Sequence, residues 1–594
     1  MSKTKHCILF LLILLLGAFF RLYGLNWDQG QHLHPDERFL TMVAGAMQWP
    51  ASFLEYLDTN ASKLNPHNIG YGFFVYGTFP VIIVKFVAES LGMGDYGGLT
   101  LVGRALSAVV DLGTVVLVFF ITKQITSKLQ HVSPAFAINS SLFAMFLYAT
   151  CALAIQLSHF YAVDPYLTFF QTLAVYLAIR GSFGIRLGIA LGLAFASKIS
   201  AFLIVPAVSI AWIAAWIKTK RKGRFSLSAL APLIAFLITI RLALPYLFIG
   251  SLVPVAINEK ILNNWQQLAS FATGDGGFPP SVQWVHTKSF LFPFLNMAFF
   301  GLGLPHMTII LASTTLLLLR KRSMQIVILV IAIGSLWLYQ GGQFVKALRY
   351  FYPVYPLLTV LAGLGATYFL ERISKKLSHF PFYISLFALI GLLLLWPLAF
   401  TAIYRQPNSR ITASWWMYAN IPEGSSLATE HWDDGLPISF PGATNDRYAY
   451  IEIPIYGDDT LKKWSEITRK LEGADYVVLT SNRALGALTS LPDKYPIATR
   501  YYQALLDGTL GFINVAQFTS RPYLPIPFMP PICITPPVLS YSRITEPTDG
   551  CYKPGITIVD DYADETWTVY DHPKVMIFKK TSPNHADALL GILQ

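Results

Sequence analysis

Twelve apolar stretches, most of them long enough to cross a lipid bilayer, occupy the first 400 residues of the chain. A helix needs about 20 residues to cross the hydrocarbon core. Over its 594 residues the chain is 54% hydrophobic and only 13% charged, whereas soluble domains carry about 25% charged residues. The pattern predicts an α-helical polytopic membrane protein, followed by a soluble domain in roughly the last 190 residues, whose composition is ordinary.

These runs lie near residues 7–23, 71–91, 101–121, 135–157, 164–181, 185–199, 200–217, 229–249, 290–319, 323–341, 352–370 and 381–403.

Basic clusters between the runs indicate the topology, because Lys and Arg accumulate in cytoplasmic loops. The clusters are at Lys3/Lys5, Lys123/Lys128, Arg180/Arg186, Lys218–Arg224, Arg320–Arg322 and Arg372/Lys375/Lys376. All can be cytoplasmic only if one run between residues 24 and 100 does not cross. We expect the run 71–91, which contains Lys85 and Glu89, to lie at the outer interface.

About eleven transmembrane helices then remain, with the N-terminus in the cytoplasm. We therefore predict a transmembrane catalytic domain at 1–404, with a first outer loop at 24–100, and an extracytoplasmic domain at 405–594. The first run lacks a small-x-small cleavage site and is interpreted as a retained span of a plasma (inner) membrane protein. The formal charge of +11 comes from the topology clusters, so a nucleic-acid partner is not expected.

The tail alternates strand-like and helix-like patterns, which predicts a small α/β domain. The predicted strands are Tyr448–Ile455, Tyr476–Thr480 and Val575–Lys579, and the predicted helix is Thr460–Leu471. The proline-rich stretch 522–537 predicts an irregular loop. Cys533 and Cys551 would permit one disulfide if the tail is extracytoplasmic. The sequence His431-Trp-Asp-Asp434 is expected to form a solvent-facing turn, although contact with an acceptor is the alternative.

Ionisable residues near spans are costly and usually functional, and the predicted topology brings several of them to the outer face. They are Asp36, Glu37, Arg104, His159, Asp164, Lys198, Lys346 and Arg349. A sugar linked to a lipid phosphate needs a carboxylate to deprotonate the attacking hydroxyl and fixed cations to neutralise the departing phosphate. Asp36 fits the first role, with Glu37 and Asp164 orienting the acceptor. The expected phosphate ligands are Arg104, Lys198, Lys346 and Arg349.

Five short segments resemble the polyprenyl-phosphate-sugar-dependent glycosyltransferases of the GT-C fold, in particular the protein O-mannosyltransferases and aminoarabinose transferases (glycosyltransferase family 39-like). They are His34-Pro-Asp-Glu, Gly103-Arg-Ala-Leu-Ser, Ser158-His-Phe-Tyr-Ala-Val-Asp-Pro, Gly192–Ala201 and Arg349-Tyr-Phe-Tyr-Pro. The resemblance implies a GT-C fold, Asp36 as catalytic base, inversion at the anomeric carbon and a polyprenyl-phosphate-sugar donor. The acceptor, a glycan, lipid or protein, stays open.

The chain departs from these relatives in its tail. Trp415-Trp-Met-Tyr418 is similar to the Trp-Trp-Asp motif of oligosaccharyltransferases but lacks the acidic residue, which argues against asparagine-linked transfer. No β-trefoil pattern like that of eukaryotic protein mannosyltransferases is evident, so a protein acceptor is not assured.

Several alternatives stay open at this point. His34 and His159 are assigned to acceptor contact or support, although with nearby acids they could hold a divalent metal; no cofactor is required by the mechanism. Interfacial snorkelling would explain the arginines without a ligand. A flippase of a lipid-linked anionic glycan, an oligosaccharide ligase and an outer-facing receptor are the competing functions. No inverted repeat typical of transporters is evident.

Overall fold

The computed structural model describes residues 3–129, 132–220, 230–272, 278–320, 323–376, 378–535, 551, 553–582 and 585–593. Parts of the basic clusters 218–224 and 320–322, of the glycine-rich stretch 274–280 and of the proline-rich stretch 522–537 lie outside these residues.

Helices make up the described residues up to 405. The α-helices are α1 (Lys3–Leu22), α2 (Pro35–Ala46), α3 (Phe53–Leu57), α4 (Thr78–Ser90), α5 (Tyr96–Thr126), α6 (Pro134–Ala149), α7 (Ala152–Ser158), α8 (Asp164–Arg180), α9 (Ile185–Ser197), α10 (Val205–Lys220), α11 (Ala231–Ala243), α12 (Glu259–Ser270), α13 (Leu291–Asn296), α14 (Leu304–Arg320), α15 (Met324–Gly342), α16 (Tyr355–Ser374) and α17 (His379–Thr401). Short 3₁₀ segments at Pro66–Ile69, Ile199–Ile204, Pro245–Leu247, Pro279–Trp284, Leu348–Val354 and Ala402–Arg405, a π-helical turn at Met297–Gly301 and a two-stranded hairpin, β1 (Phe248–Ile249) with β2 (Ala256–Ile257), connect them.

The helices confirm the polytopic class. Within the described residues, six are long and apolar enough to cross a membrane, or seven if α6 and α7, which bend by 57° at their junction, form one span. Shorter apolar helices occupy four further places, at α9, α11, α13 with the π-helical turn, and α14. The run 290–319, expected as one span, is broken at Gly303, whose φ is +81°. The predicted total of eleven spans, and the orientation of the termini, stay predictions.

A buried arginine satisfies the backbone at the bend between α6 and α7. Arg21 donates to the carbonyl oxygens of Tyr148 (3.3 Å) and Ala149 (2.9 Å), which lie in the last turn of α6, where a helix has no internal donors left. Its Nε pairs with Asp111 at 2.6 Å. Backbone polar groups in a bilayer must find hydrogen-bond partners within the protein. Arg21 supplies those partners and so stabilises the bend. Asp111 is thereby paired with Arg21.

The loop predicted at 24–100 folds into α2, α3 and α4, with a hydrophobic cluster of its own. Helix α4 has 13 residues, about 20 Å at 1.5 Å per residue, and Lys85 pairs with Glu89 along it at 2.5 Å. Gly77, just before α4, donates its N–H to the Ser197 carbonyl at 3.1 Å. A Cβ at Gly77 would collide with the backbone of Ala196. Only glycine therefore permits this loop to lie against the C-terminal end of α9.

The described residues after 405 form an α/β unit. Its helices are α18 (Ser409–Asn420), α19 (Leu461–Glu472), α20 (Arg483–Thr489), α21 (Pro496–Asp507), α22 (Glu565–Thr568) and α23 (Ala586–Leu593), with a 3₁₀ turn at Asn445–Arg447. Its strands are β3 (Ser426–Glu430), β4 (Ala449–Ile453), β5 (Tyr476–Leu479), β6 (Phe512–Phe518), β7 (Tyr523–Pro525), β8 (Pro531–Ile534), β9 (Gly555–Ile558) and β10 (Val575–Lys580). A five-stranded mixed sheet has the order β4-β3-β5-β10-β6, and a second sheet the order β7-β9-β8.

The predicted α/β character is confirmed, and the three predicted strands and the predicted helix fall on β4, β5, β10 and α19. The expectation of an irregular loop at 522–537 is wrong for its described part, because β7 and β8 pair with β9 there. Prolines fit these strands since both lie at the edges of the second sheet. Cys533 and Cys551 form a disulfide.

The segment 559–575, which connects β9 to β10, is almost entirely buried between this unit and the helices. Gln156 of α7 donates to the Trp567 carbonyl at 2.7 Å, and Tyr404 donates to Asp571 at 3.0 Å. His572 lies between two carboxylates, with Nδ1 2.5 Å from Asp571 and Nε2 2.9 Å from Asp560. Burial lowers the pKa of His572, but the two aspartates outweigh it and raise the pKa to about 10.

We expect His572 to make the stability of the protein pH-dependent in the alkaline range. Because the folded pKa exceeds the unfolded value of about 6.5, its contribution is complete below that value and is lost as pH rises through about 10. The melting temperature of His572→Gln should therefore lie well below that of wild type at neutral pH and approach it above pH 10. The exposed His585, changed to Gln, is the control, and a constant difference across the range would contradict the assignment.

Candidate active site

A cavity of about 770 Å³ lies where the first loop, the ends of several helices and the C-terminal unit meet. Five carboxylates and five cations line it: Asp36, Asp164, Asp433, Asp434 and Glu565, with Arg38, Lys198, Arg349, Arg410 and Arg483. The sequence predicted that Asp36, Asp164, Lys198 and Arg349 share one face of the membrane, and the structure places all four on this cavity.

Asp36 occupies the first turn of α2, where His34 is the N-cap and accepts the Glu37 N–H at 3.3 Å. The Asp36 carboxylate is ion-paired with Arg349, and its side chain is 30% exposed. Burial raises the pKa of Asp36, but Arg349, His34 and Lys198 outweigh burial and lower it to about 2. Asp36 is therefore an ionised carboxylate facing the cavity at neutral pH.

Lys198 and Arg349 converge on one aromatic ring. The Lys198 ammonium lies 4.9 Å and the Arg349 guanidinium carbon 5.5 Å from the centroid of Tyr350, close enough for cation–π attraction. Lys198 is also held by Asp164 at 2.8 Å. The Nε of Arg349 is buried without a hydrogen-bond partner. Two cations with donors to spare thus flank the Asp36 carboxylate, an arrangement suited to an anion such as a phosphate.

Arg104 and Glu37 lie behind this cavity instead of on it. Arg104 donates to both carboxylate oxygens of Glu37 (2.9 and 2.5 Å) and of Asp28 (3.0 and 2.7 Å), and to the Leu25 carbonyl at 2.7 Å. These bonds use all five N–H donors of the guanidinium, and its side chain has no exposed surface. The predicted phosphate contact of Arg104 therefore conflicts with this geometry, and Glu37 holds Arg104 instead of facing an acceptor.

Three further predicted residues, Lys346, His159 and His34, do not line this cavity. The Lys346 ammonium donates to the Phe344 carbonyl at 3.0 Å and does not line the cavity, so its predicted phosphate contact does not fit. His159 has both ring nitrogens 2.8 Å from carbonyl oxygens, those of Ile155 and Tyr23. His34 stacks on Tyr570 at 3.9 Å between centroids. Among the described residues no group of three or more His, Cys, Asp or Glu side chains is arranged to hold a metal ion.

Sequence reasoning missed the part of the cavity that the C-terminal unit provides. Tyr570, buried in the segment 559–575, reaches His34, and Arg38 pairs with Asp434 at 3.0 Å across 396 residues of chain. The motif His431-Trp-Asp-Asp434 was expected to be a solvent-facing turn, but Trp432, Asp433 and Asp434 line the cavity. No local pattern could reveal this, since these contacts depend on how the two parts of the chain meet.

Residues 96–263 match the family model described as dolichyl-phosphate-mannose-protein mannosyltransferase. The segment contains Arg104, His159, Asp164 and Lys198, whereas Asp36 and Arg349 lie outside it. The family resemblance noted in the sequence motifs is thus confirmed over this segment, which is less than half of the chain. No curated protein matches the chain significantly.

Three solved structures align with this chain at low sequence identity. The apo oligosaccharyltransferase of Archaeoglobus fulgidus is 15% identical, with 84% of this chain and 73% of that chain covered and a TM-score of 0.47. ArnT of Cupriavidus metallidurans bound to undecaprenyl phosphate is 12% identical, with 83% and 96% covered and a TM-score of 0.40. The protein O-mannosyltransferase complex of S. cerevisiae bound to the sugar donor is 19% identical, with 48% and 37% covered and a TM-score of 0.29. All three scores are too low to assign an activity.

The buried position of Glu37 predicts that it acts on stability and not on chemistry. Glu37→Ala leaves Arg104 buried with one of its two carboxylate partners missing, and breaking such a pair costs about 3–5 kcal/mol. Thermal unfolding in detergent should show a large decrease in melting temperature. Glu423→Ala, which breaks the exposed pair of Glu423 with Arg447, should change it little. A Glu37→Ala protein that melts like wild type but fails to turn over donor would contradict this assignment.

Proposed function

We propose that this chain is an inverting membrane glycosyltransferase that moves a sugar from a polyprenyl phosphate to an acceptor hydroxyl on the outer face of the membrane. The observation that carries the proposal is the presence of one ionised carboxylate, Asp36, beside two cations with unused donors, Lys198 and Arg349, on one cavity. The family match over residues 96–263 supports the donor class, because that family is described by a sugar carried on dolichyl phosphate.

The reaction needs one displacement at the anomeric carbon. The acceptor oxygen forms a bond to that carbon as its proton passes to the Asp36 carboxylate, and the bond from the carbon to the phosphate oxygen breaks. The lipid phosphate leaves as an anion between Lys198 and Arg349, which stabilise the charge as it develops. A single attack from the face opposite the phosphate inverts the anomeric configuration.

The ion pair between Asp36 and Arg349 suggests how the base is activated. With Arg349 beside it, Asp36 has a pKa of about 2 and is a weak base. A donor phosphate that binds the Arg349 guanidinium in place of Asp36 weakens the interaction with Arg349. That interaction is the strongest of the charge interactions that lower the pKa of Asp36. Donor binding therefore makes Asp36 more basic, which couples occupation of the site to proton abstraction.

The remaining groups have supporting roles. Asp164 orients Lys198 through their 2.8 Å ion pair and is therefore a positioning residue. This role replaces the orientation of the acceptor that the sequence led us to expect. Apolar side chains on the helix side of the cavity, Leu167, Ile199, Tyr339 and Pro353, provide a surface for an isoprenoid chain. The mechanism uses no metal.

The decisive test measures sugar release from a panel of radiolabelled polyprenyl-phosphate sugars by purified protein in detergent. Asp36→Asn keeps the size of the side chain but cannot accept the proton, and loss of a general base lowers rates by about 100- to 10,000-fold. Donor binding should persist in this variant. Asp458→Asn changes an exposed aspartate that does not line the cavity and should behave like wild type.

Two outcomes contradict the proposal. Equal turnover by wild type and Asp36→Asn would remove the base and favour a ligase that needs only cations. Donor binding by both proteins without turnover by either would favour a flippase of the lipid-linked anion.

A further inference from the structure

One wall of the cavity comes from the C-terminal unit and is not used by the displacement described above. It contains Trp432, Asp433, Asp434, Arg410, Arg483 and Glu565. We infer that this wall, completed by Arg38, is the acceptor subsite and that it takes a neutral, polyhydroxylated ligand, that is, a carbohydrate. The inference rests on the proposed glycosyl transfer and specifies its acceptor.

Charge balance on this wall argues for a neutral ligand. Arg410 pairs with Asp433 at 2.7 Å, Arg38 with Asp434 at 3.0 Å, and Arg483 with Glu565 at 2.5 Å. Each cation therefore has its own carboxylate, and no net charge is left to attract an anionic or a cationic acceptor. Lys198 and Arg349 are also paired, with Asp164 and Asp36, and differ only in that the Arg349 Nε has no hydrogen-bond partner.

The same pairs suit hydroxyl groups. A hydroxyl both donates and accepts hydrogen bonds, and alternating guanidinium and carboxylate groups offer both kinds of partner at short spacing. The pair of Arg38 with Asp434 keeps side-chain exposures of 37% and 34%, so its polar atoms are open to a ligand. These charges are fixed by their pairing, which gives hydroxyls a preorganised set of partners.

Trp432 supplies an apolar surface beside these polar groups. Its ring is 43% exposed and meets Phe278 edge to face at 5.6 Å between centroids. Its φ of +72° is costly for a bulky residue, and the conformation is held by Arg483, which donates to the Trp432 carbonyl at 2.5 Å. Strain of this kind persists where the surroundings enforce it, most often at ligand sites. An exposed indole next to hydroxyl partners matches a sugar ring, which has an apolar face and a polar rim.

The position of Arg38 links this subsite to the base. Arg38 and Asp36 lie two residues apart at the start of α2, and Tyr570 lines the cavity with them. A sugar held by Arg38, Asp434 and Trp432 therefore lies in the same cavity as the carboxylate that is to deprotonate its hydroxyl.

Binding of free sugars to the full-length protein in detergent tests the inference by saturation-transfer difference NMR. The probes are the neutral disaccharides mannobiose and trehalose, the charged sugars glucuronate and glucosamine, and an uncharged serine tripeptide. Trp432→Gly removes the ring and also relieves the positive φ, so folding should not suffer. Trp432→Phe keeps an aromatic surface, and Trp415→Ala removes an exposed indole that does not line the cavity.

We expect a neutral disaccharide to bind better than the charged sugars and the tripeptide. Trp432→Gly should weaken that binding by about tenfold, on the order of one aromatic contact, Trp432→Phe by about threefold or less, and Trp415→Ala not at all. Polyprenyl-phosphate binding, measured on the same preparations, should be equal in all variants, which separates this inference from the donor site. No binding of neutral sugars to wild type, tighter binding of a charged sugar or the tripeptide, or wild-type binding by Trp432→Gly would each overturn it.

Discussion

The buried contact of Arg104 with Glu37 and Asp28 fixes the geometry on which the rest of the cavity depends. It ties helix α5 to the start of α2 and to the chain that precedes it, with every guanidinium donor used. Removing one guanidinium and two carboxylates from solvent is expensive, and the full set of hydrogen bonds made by the guanidinium offsets part of that cost. Because Glu37 is fixed in this way, the neighbouring Asp36, about 100° further round the helix, is directed toward Arg349.

The C-terminal unit completes the cavity as well as covering it. Asp564 accepts the Leu348 N–H at 2.5 Å, one residue before Arg349, and its own N–H donates to Asn296 at 2.7 Å. Burial raises the pKa of Asp564 to about 7, so this carboxyl group titrates close to neutral pH. The segment 559–575 thus supports the backbone that carries Arg349, the proposed phosphate ligand, and the same unit supplies Tyr570 and Trp432 to the cavity. Both the proposed donor side and the proposed acceptor side therefore depend on the contact between this segment and the helices.

The residues that could be predicted from the sequence are charged side chains next to apolar runs, because removing such a charge from water is costly. Asp36, Asp164, Lys198 and Arg349 stand out because a charge beside an apolar run needs a reason, and the structure brings all four to one cavity. The hydrophobic periodicity of the tail likewise predicted strands β4, β5 and β10 and helix α19. Arg104 and Lys346 stood out for the same reason, but nothing local distinguishes an arginine that binds a ligand from one saturated by Glu37 and Asp28. The pairing of Arg38 with Asp434 was beyond prediction, because it arises only from tertiary packing.

The most direct test of this account is a structure of the full-length protein with a polyprenyl-phosphate sugar bound. The account predicts the phosphate within hydrogen-bonding distance of Lys198 and Arg349, the Arg349 guanidinium turned from Asp36 toward it, and the anomeric carbon facing the Asp36 carboxylate. A phosphate bound away from these two cations, or a sugar whose anomeric carbon lies out of reach of an acceptor hydroxyl held by Asp36, would contradict it.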